Sequence, residues 1–211
     1  MWYNYTSRMH SSDRGRTQSA LAKPAPPRRF GSVMVASALM IAAIAAAAPA
    51  PAPAPPAMVP AATAWHYRGS GTLRWFGFRI YDAMLWSEQR SAAIDTTQHF
   101  ALMLTYHRNI SSTRLVDTTL EEMQRLGSAD SEQQQGWLAQ LQQSFPDVRT
   151  GDAIVGLNHP DVGVSFYHNG EMTATIADPT FAAAFFAIWF DPRSREPELQ
   201  AALMGGAGGD T

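Results

Sequence analysis

The stretch that decides the fold is Gly69–Trp86, with the sequence GSGTLRWFGFRIYDAMLW. From Phe76 to Tyr81 the residues alternate between two faces, and the run is rich in aromatic and β-branched types. Such a period of two predicts a β-strand. Gly69 and Gly71 come just before it, where a missing Cβ permits a bulge or the close approach of another backbone.

Arg74 lies within this mostly apolar stretch, and two interpretations of it remain open. In the first, its stem packs on apolar neighbours while the guanidinium reaches the sheet edge or pairs with a carboxylate. In the second, the guanidinium lies at the mouth of an apolar pocket, where it binds an anionic or ketonic oxygen. Spacing alone does not decide between them.

Five segments of the chain, in the same order, resemble the chalcone isomerase superfamily, in particular its bacterial exported members. The first is the pattern G-x-G-x-x-R, followed by an aromatic strand that ends in IYDAML. The others are Tyr106–Leu115 (YHRNISSTRL), Gly151–Ile154 (GDAI), Phe166–Gly170 (FYHNG) and Phe181–Phe190 (FAAAFFAIWF). The resemblance implies an α+β fold, a chalcone isomerase-like open-faced β-sandwich in which a layer of helices covers an antiparallel sheet.

The other periodicities also indicate an α+β domain, because strands, two helices, strands and further helices follow one another. Further strands are predicted over residues 100–106, 153–157, 163–167 and 172–176, with a tight turn at Asn169-Gly170 between the last two. Helices are predicted from Ser111 or Ser112 to Gly127, from Ser131 to Pro146, from Asp178 onward and over residues 196–204.

Residues 1–64 are predicted to be a signal peptide and a Pro/Ala-rich linker. A basic segment precedes the apolar run Val33–Ala48, and Ala62-Thr-Ala64 fits the small-x-small cleavage rule. The alternative is an uncleaved anchor, but this run of 16 residues is shorter than the roughly 20 that span a bilayer. We therefore expect a periplasmic or secreted protein with a mature start near Trp65 and no stable membrane span. Residues 65–205 would form the domain, and residues 206–211 a flexible Gly-rich tail.

The charge of the chain changes at this boundary. Residues 1–64 contain 6 of the 16 Lys and Arg but 1 of the 18 Asp and Glu, which leaves a net charge of −7 on residues 65–211. Phosphate contacts supply most of the affinity for nucleic acids, so an acidic domain of this kind argues against nucleic-acid binding. The same charge argues against docking on anionic lipid.

The residues indicate no metal and no cofactor. The chain has no Cys, which excludes disulfides and thiolate metal sites. The histidines after residue 64 lack the i, i+4 or HExxH spacing of a zinc site. There is no G-x-S-x-G nucleophile elbow and no glycine-rich turn for a nucleotide.

The resemblance implies a role for Arg74 while arguing against catalysis. Catalytic members surround an arginine on the sheet with Tyr, Asn and Thr side chains, and Arg74 is matched to that arginine. The positions that depart from this pattern are Ser111, Ser112 and Thr113 at the helix start, Thr118 or Thr119 one helical turn later, and Phe76 on the strand. With these partners missing, we do not expect chalcone cyclisation.

Non-catalytic relatives hold a fatty acid in the same cleft, with the arginine and often a tyrosine on its carboxylate. We therefore hypothesise a non-catalytic protein that binds a small apolar or amphipathic anion between sheet and helices. The candidate ligand-binding residues are Arg74, Tyr81, Tyr106, Ser112 and Thr119. The two tyrosines could instead be ordinary amphipathic sheet residues. A chalcone isomerase-type lyase acting on an unknown enone and a periplasmic scaffold without ligand also remain open.

Overall fold

The structure, a computed structural model of the chain, describes residues 54–57, 64–90 and 93–205. Apart from residues 54–57 and Ala64, the predicted signal peptide and linker lie outside the described residues, as does the predicted tail. In the part of the chain that is described, no helix has both the length and the apolar character needed to cross a membrane.

Six antiparallel strands form one sheet in which spatial order follows chain order. The strands are β1 (His66–Trp75), β2 (Phe78–Ser87), β3 (Phe100–Tyr106), β4 (Ala153–His159), β5 (Gly163–His168) and β6 (Glu171–Ile176). The helices are α1 (Ser112–Leu126), α2 (Ser131–Ser144), α3 (Pro179–Phe190) and α4 (Pro197–Leu203). This arrangement confirms the predicted α+β fold.

Local capping signals fix the helix ends. Ser111 caps α1 by accepting a hydrogen bond from the backbone of Arg114, and Gly127 ends the helix at φ 66°. Asp178 caps α3 in the same way, ahead of a proline in the first turn. The cap of α2 is Asp130, one residue before the predicted start at Ser131. The predicted helices are therefore confirmed, with small shifts at their ends.

The decisive stretch forms a β-hairpin, whereas the alternation predicted a single strand from Phe76. Phe76 and Gly77 occupy the turn with φ 47° and 80°, and β1 pairs with β2 across it. Asn169 and Gly170 form the same kind of turn between β5 and β6, at φ 51° and 91°, as predicted. Phenylalanine is unusual at positive φ, because this backbone conformation costs about 1 kcal/mol. For this reason the sequence did not indicate a turn at Phe76.

One face of the sheet packs against the helices and forms the main core. Alternate residues of β3 and β5, such as Phe100, Leu102 and Phe166, are at most 2% exposed and meet the aromatic residues of α3. A smaller cluster lies on the other face around Ala101 and Val155. The face covered by helices is therefore the one on which an enclosed site can form.

Helix α4 lies directly on β1, at the two glycines of the decisive stretch. A Cβ on Gly69 would lie 2.0 Å from the carbonyl oxygen of Ala202, and one on Gly71 would lie 2.7 Å from Cδ1 of Leu199. The strand also has a bulge between Tyr67 and Gly69. Both predicted reasons for glycine, a bulge and the close approach of another backbone, are confirmed.

Candidate functional site

Two tyrosines from neighbouring strands form the centre of the candidate site. Tyr81 on β2 lies directly opposite Tyr106 on β3, and their ring centroids are 5.9 Å apart in an edge-to-face arrangement. Both belong to the face of the sheet covered by helices. Tyr106 is 5% exposed, whereas Tyr81 is half-buried. Strand alternation thus places both predicted tyrosines at one point.

The two hydroxyl groups differ in their partners. Nε1 of Trp189, near the end of α3, donates a hydrogen bond to Tyr81 Oη at 3.1 Å. Within the described residues the Tyr106 hydroxyl forms no hydrogen bond. Among the described residues, only Gln98 and Asn158 have a side-chain oxygen or nitrogen that is both inaccessible to solvent and without a hydrogen bond. Because the Tyr106 hydroxyl has no hydrogen bond and is not one of these atoms, it keeps some accessible surface. A buried hydroxyl of this kind ordinarily meets water or a ligand.

Burial keeps both tyrosines protonated. It raises the pKa of Tyr81, against the effect of the Trp189 hydrogen bond, and the carboxylates of Glu196 and Glu122 raise it further. Burial also raises the pKa of Tyr106, with a smaller contribution from Tyr81. At neutral pH the pair therefore offers neutral hydroxyl groups and no phenolate.

Helix α1 is linked to this pair through the charge of Glu122. Ser112, Leu115 and Thr119 share one side of the helix with Glu122 by helical spacing, and Glu122 raises the pKa of Tyr81. Thr119 donates its hydroxyl proton to the Leu115 carbonyl at 2.8 Å, which leaves only an acceptor for a ligand. The backbone NH of Ser112 donates to Asp147 Oδ1 at 2.7 Å, an interaction that stabilises the start of the helix.

A carboxylate of α1 belongs to the surroundings of the site. The Glu122 side chain is 13% exposed and pairs with Arg125 Nε and Arg195 NH1, each at 2.8 Å. Partial burial raises the pKa of Glu196, and Glu198 and Glu122 add to this effect. The spacing of Glu122 and Arg125 suits a local helix pair, but no sequence signal linked Glu122 to Arg195.

Arg74 does not share this position. It lies opposite Arg79 in the hairpin, and its side chain is exposed. Leu73, one residue earlier, takes the helix-facing position opposite Tyr81. The bulge at this point adds one residue, Ile80, to β2 and leaves the alternation of β1 intact, so Arg74 is directed to the other face. The expectation that Arg74 lies in a cleft with the tyrosines is corrected accordingly.

That other face has its own polar cluster, centred on Asp82. Thr72 Oγ1 donates to Asp82 Oδ1 at 2.6 Å, Arg79 NH2 lies 2.7 Å from Oδ2, and His107 Nε2 lies 2.8 Å from Oδ2. Partial burial opposes ionisation of Asp82, but these three hydrogen bonds outweigh it and hold its pKa at about 2. The carboxylate links β1, β2 and the residue that follows β3.

We expect Asp82→Asn to reduce the free energy of unfolding at neutral pH by about 1 kcal/mol, after allowance for solvent screening. The folded-state pKa is depressed, so this stabilisation is complete above the unfolded value and is lost as pH falls through about 2. The difference between parent and variant should therefore shrink below about pH 4. Urea unfolding at several pH values measures it, and a gap that widens in acid would contradict the assignment.

Comparison with known proteins agrees with this architecture. Residues 50–205 match the family described as chalcone isomerase-like. An uncharacterized protein of Haemophilus influenzae is 28% identical over 141 residues, which cover 67% of this chain and 68% of that protein.

The similarity extends to a solved structure. The crystal structure of a fatty-acid binding protein from Arabidopsis thaliana superposes with a TM-score of 0.53 at 9% identity, covering 68% of this chain and 88% of the other. At that identity the likeness concerns the fold alone. The family match spans most of the chain and agrees with the helix-covered antiparallel sheet, and we conclude that the chain belongs to the chalcone isomerase-like family.

Proposed function

We propose that this protein binds a small, largely apolar ligand at Tyr81 and Tyr106 without converting it. The observation on which the proposal depends is the Tyr106 hydroxyl, which is buried between sheet and helices, keeps accessible surface and forms no hydrogen bond within the described residues. Leaving such a group unpaired costs about 1–3 kcal/mol. A ligand with a hydrogen-bond acceptor would remove that cost.

The surroundings of the tyrosines suit an apolar ligand body. Leu73 lies opposite Tyr81 on the adjacent strand, and Leu115 on α1 packs against the same core cluster as Tyr81. Both are only partly buried, although they pack against the main core. Partly exposed aliphatic groups beside one or two fixed polar groups are typical of small-molecule sites.

The charges near the tyrosines favour a neutral head group. Glu196 and Glu122 both raise the pKa of Tyr81. Glu122 is paired with Arg125 and Arg195, so a ligand carboxylate would meet like charge chiefly at Glu196. The cation expected to offset that repulsion, Arg74, lies on the other face. We therefore replace the anionic ligand expected from the sequence by an amphiphile with an uncharged head, such as a fatty alcohol or a protonated fatty acid.

The same groups argue for binding without catalysis. General bases work best with a pKa near the operating pH, whereas burial raises the pKa of both tyrosines away from neutrality. Glu122, the remaining acidic group on this face of α1, is held in two ion pairs. The fold shared with a fatty-acid binding protein supports the same class of ligand.

Tyr106→Phe is expected to weaken binding of a long-chain fatty alcohol about three- to tenfold, the contribution of one hydrogen bond. Its thermal stability should stay at the parental value or rise, because the hydroxyl has no partner within the described residues. At neutral pH the alcohol should bind at least as tightly as the fatty acid of equal length. Titration calorimetry of the purified chain measures these affinities, and native mass spectrometry shows any co-purified ligand.

Tyr167→Phe is the matched control, because Tyr167 packs on the opposite face of the same sheet and should leave affinity unchanged. Equal affinities for Tyr106→Phe and the parent would refute the assignment of the site. A chain that is purified empty and binds neither amphiphile would refute ligand binding itself.

A further inference from the structure

The tip of the first hairpin exposes three aromatic side chains, which we call the aromatic tip: Trp75, Phe76 and Phe78. They are 37%, 73% and 58% exposed. The other exposed large apolar residues in the described part of the chain, Leu138, Val162 and Met172, are far from one another in sequence. Single exposed apolar residues are common on protein surfaces, whereas a group of them indicates an interaction site.

The backbone of Phe76 supports this interpretation. Phe76 has φ 47° at a turn where asparagine or glycine is the favourable residue, as at Asn169 in the equivalent turn of the chain. Its ring meets the edge of Trp75 at a centroid distance of 4.6 Å yet stays mostly exposed. An unfavourable backbone conformation that presents an aromatic ring to solvent points to a role outside the folded core.

Two arginines flank the aromatic tip. The Arg108 guanidinium lies over the Phe78 ring, 4.6 Å from its centroid, and Arg74 precedes Trp75 on the exposed end of β1. Arg79 is also near but pairs with Asp82 at 2.7 Å. Among the described residues neither Arg74 nor Arg108 forms an ion pair, so both charges remain available to a partner.

We propose that the aromatic tip, with Arg74 and Arg108, docks the protein on the surface of an anionic phospholipid bilayer. Aromatic side chains partition into the interfacial region of a membrane, and arginine forks bind lipid phosphates. A tip of three rings between two unpaired cations complements such a surface in both polarity and charge. The inference does not depend on ligand binding at Tyr106.

The net charge of −7 on residues 65–211 led us to expect no docking on anionic lipid. That charge is spread over the whole domain, and at physiological salt interactions are screened beyond about 8 Å. The surface that touches the lipid therefore determines the sign of the interaction. Arg108 follows β3 and is distant in sequence from Arg74, so composition did not reveal the pair.

The position of the tip relates it to the tyrosine site. Leu73 and Tyr81 face each other in the hairpin, and Trp75 and Phe78 follow towards the turn. A docked tip would thus hold the tyrosine end of the sheet close to the membrane.

The test uses a fluorescent label placed in the aromatic tip of the full chain, which has no native Cys. An environment-sensitive nitrobenzoxadiazole probe is attached to Phe76→Cys and, as a control, to Val162→Cys in the turn at the opposite end of the sheet. Vesicles of phosphatidylcholine with phosphatidylglycerol should shift the emission at position 76 to the blue and leave position 162 unchanged. A probe at position 76 that stays in water on vesicle-bound protein would overturn the proposal.

Unlabelled variants give a second measurement by co-sedimentation. Phe76→Asn, which suits the turn, should reduce vesicle binding about tenfold through loss of apolar contact without lowering thermal stability. Arg74→Gln and Arg108→Gln should each reduce it about fivefold, and only with phosphatidylglycerol present. Val162→Asn should bind as the parent does, and residues 1–64 are identical in every variant.

Two outcomes would exclude the bilayer as the partner of the aromatic tip, and the second of them would identify a different partner. Binding of Phe76→Asn equal to that of the parent would show that the aromatic tip does not touch lipid. A blue shift at position 76 that grows with protein concentration in the absence of vesicles would identify a second copy of the chain as the partner.

Discussion

Gly69→Ala is expected to destabilise the protein by about 3–5 kcal/mol. The added Cβ would lie 2.0 Å from the Ala202 carbonyl oxygen and 3.0 Å from that of Leu203. Both contacts are with backbone, so no side-chain rotation relieves them. Helix α4 must then move away from β1 and expose Leu199 and Leu203, which are 5% and 0% exposed in the native fold. Urea unfolding followed by circular dichroism measures the loss.

Gly136→Ala is the matched control for this substitution. A Cβ at Gly136, inside α2, has nothing within 4 Å, so the same change should stabilise the protein by about 0.5–1 kcal/mol through helix propensity. The effect of Gly71→Ala on stability should lie between those of Gly69→Ala and Gly136→Ala, because the added Cβ meets the flexible end of the Leu199 side chain. Similar effects at Gly69 and Gly136 would show that α4 does not lie closely on β1.

The glycines also show how far the fold could be predicted from the sequence. A missing Cβ in a strand has few explanations, so Gly69 and Gly71 correctly predicted a bulge and a close neighbour. Helix starts were predicted because caps depend on adjacent residues such as Ser111 and Asp178. The turn at Phe76 was missed because its aromatic side chain fits strand alternation while its backbone does not.

The candidate site was predicted only in part, for a related reason. The resemblance made Tyr81 and Tyr106 candidates, and the strand register brings them side by side on the face covered by helices. The exposed position of Arg74 could not be derived from the sequence, because a shift of one residue moves a side chain to the other face of a sheet. The link between Glu122 and Arg195 joins distant parts of the chain, and only the folded structure shows it.

Phe166→Ala is expected to lower the free energy of unfolding by about 3–5 kcal/mol, because it truncates an enclosed aromatic residue. Phe166 is 0% exposed, and its ring lies 5.1 Å from the rings of both Phe145 and Phe185. Phe78→Ala makes the same chemical change at a 58% exposed position. It should cost less than about 1 kcal/mol, mainly through lost contact with Arg108. Thermal and urea unfolding compare the two.

The aromatic core around Phe166 also limits where a ligand can lie. Phenylalanine rings fill the space above β4 and β5 closely: a Cβ on Gly156 would lie within 3.5 Å of Phe185 and Phe186 of α3 and of Phe166 of β5. Space for a ligand must then be sought above β2 and β3, where Tyr81 is only half-buried. Phe166→Ala should therefore lower stability yet bind the fatty alcohol with parental affinity below its unfolding temperature. Tyr106→Phe should instead weaken binding and leave stability at or above the parental value. Loss of binding in Phe166→Ala while the protein is still folded would move the ligand into the aromatic core and away from the tyrosines.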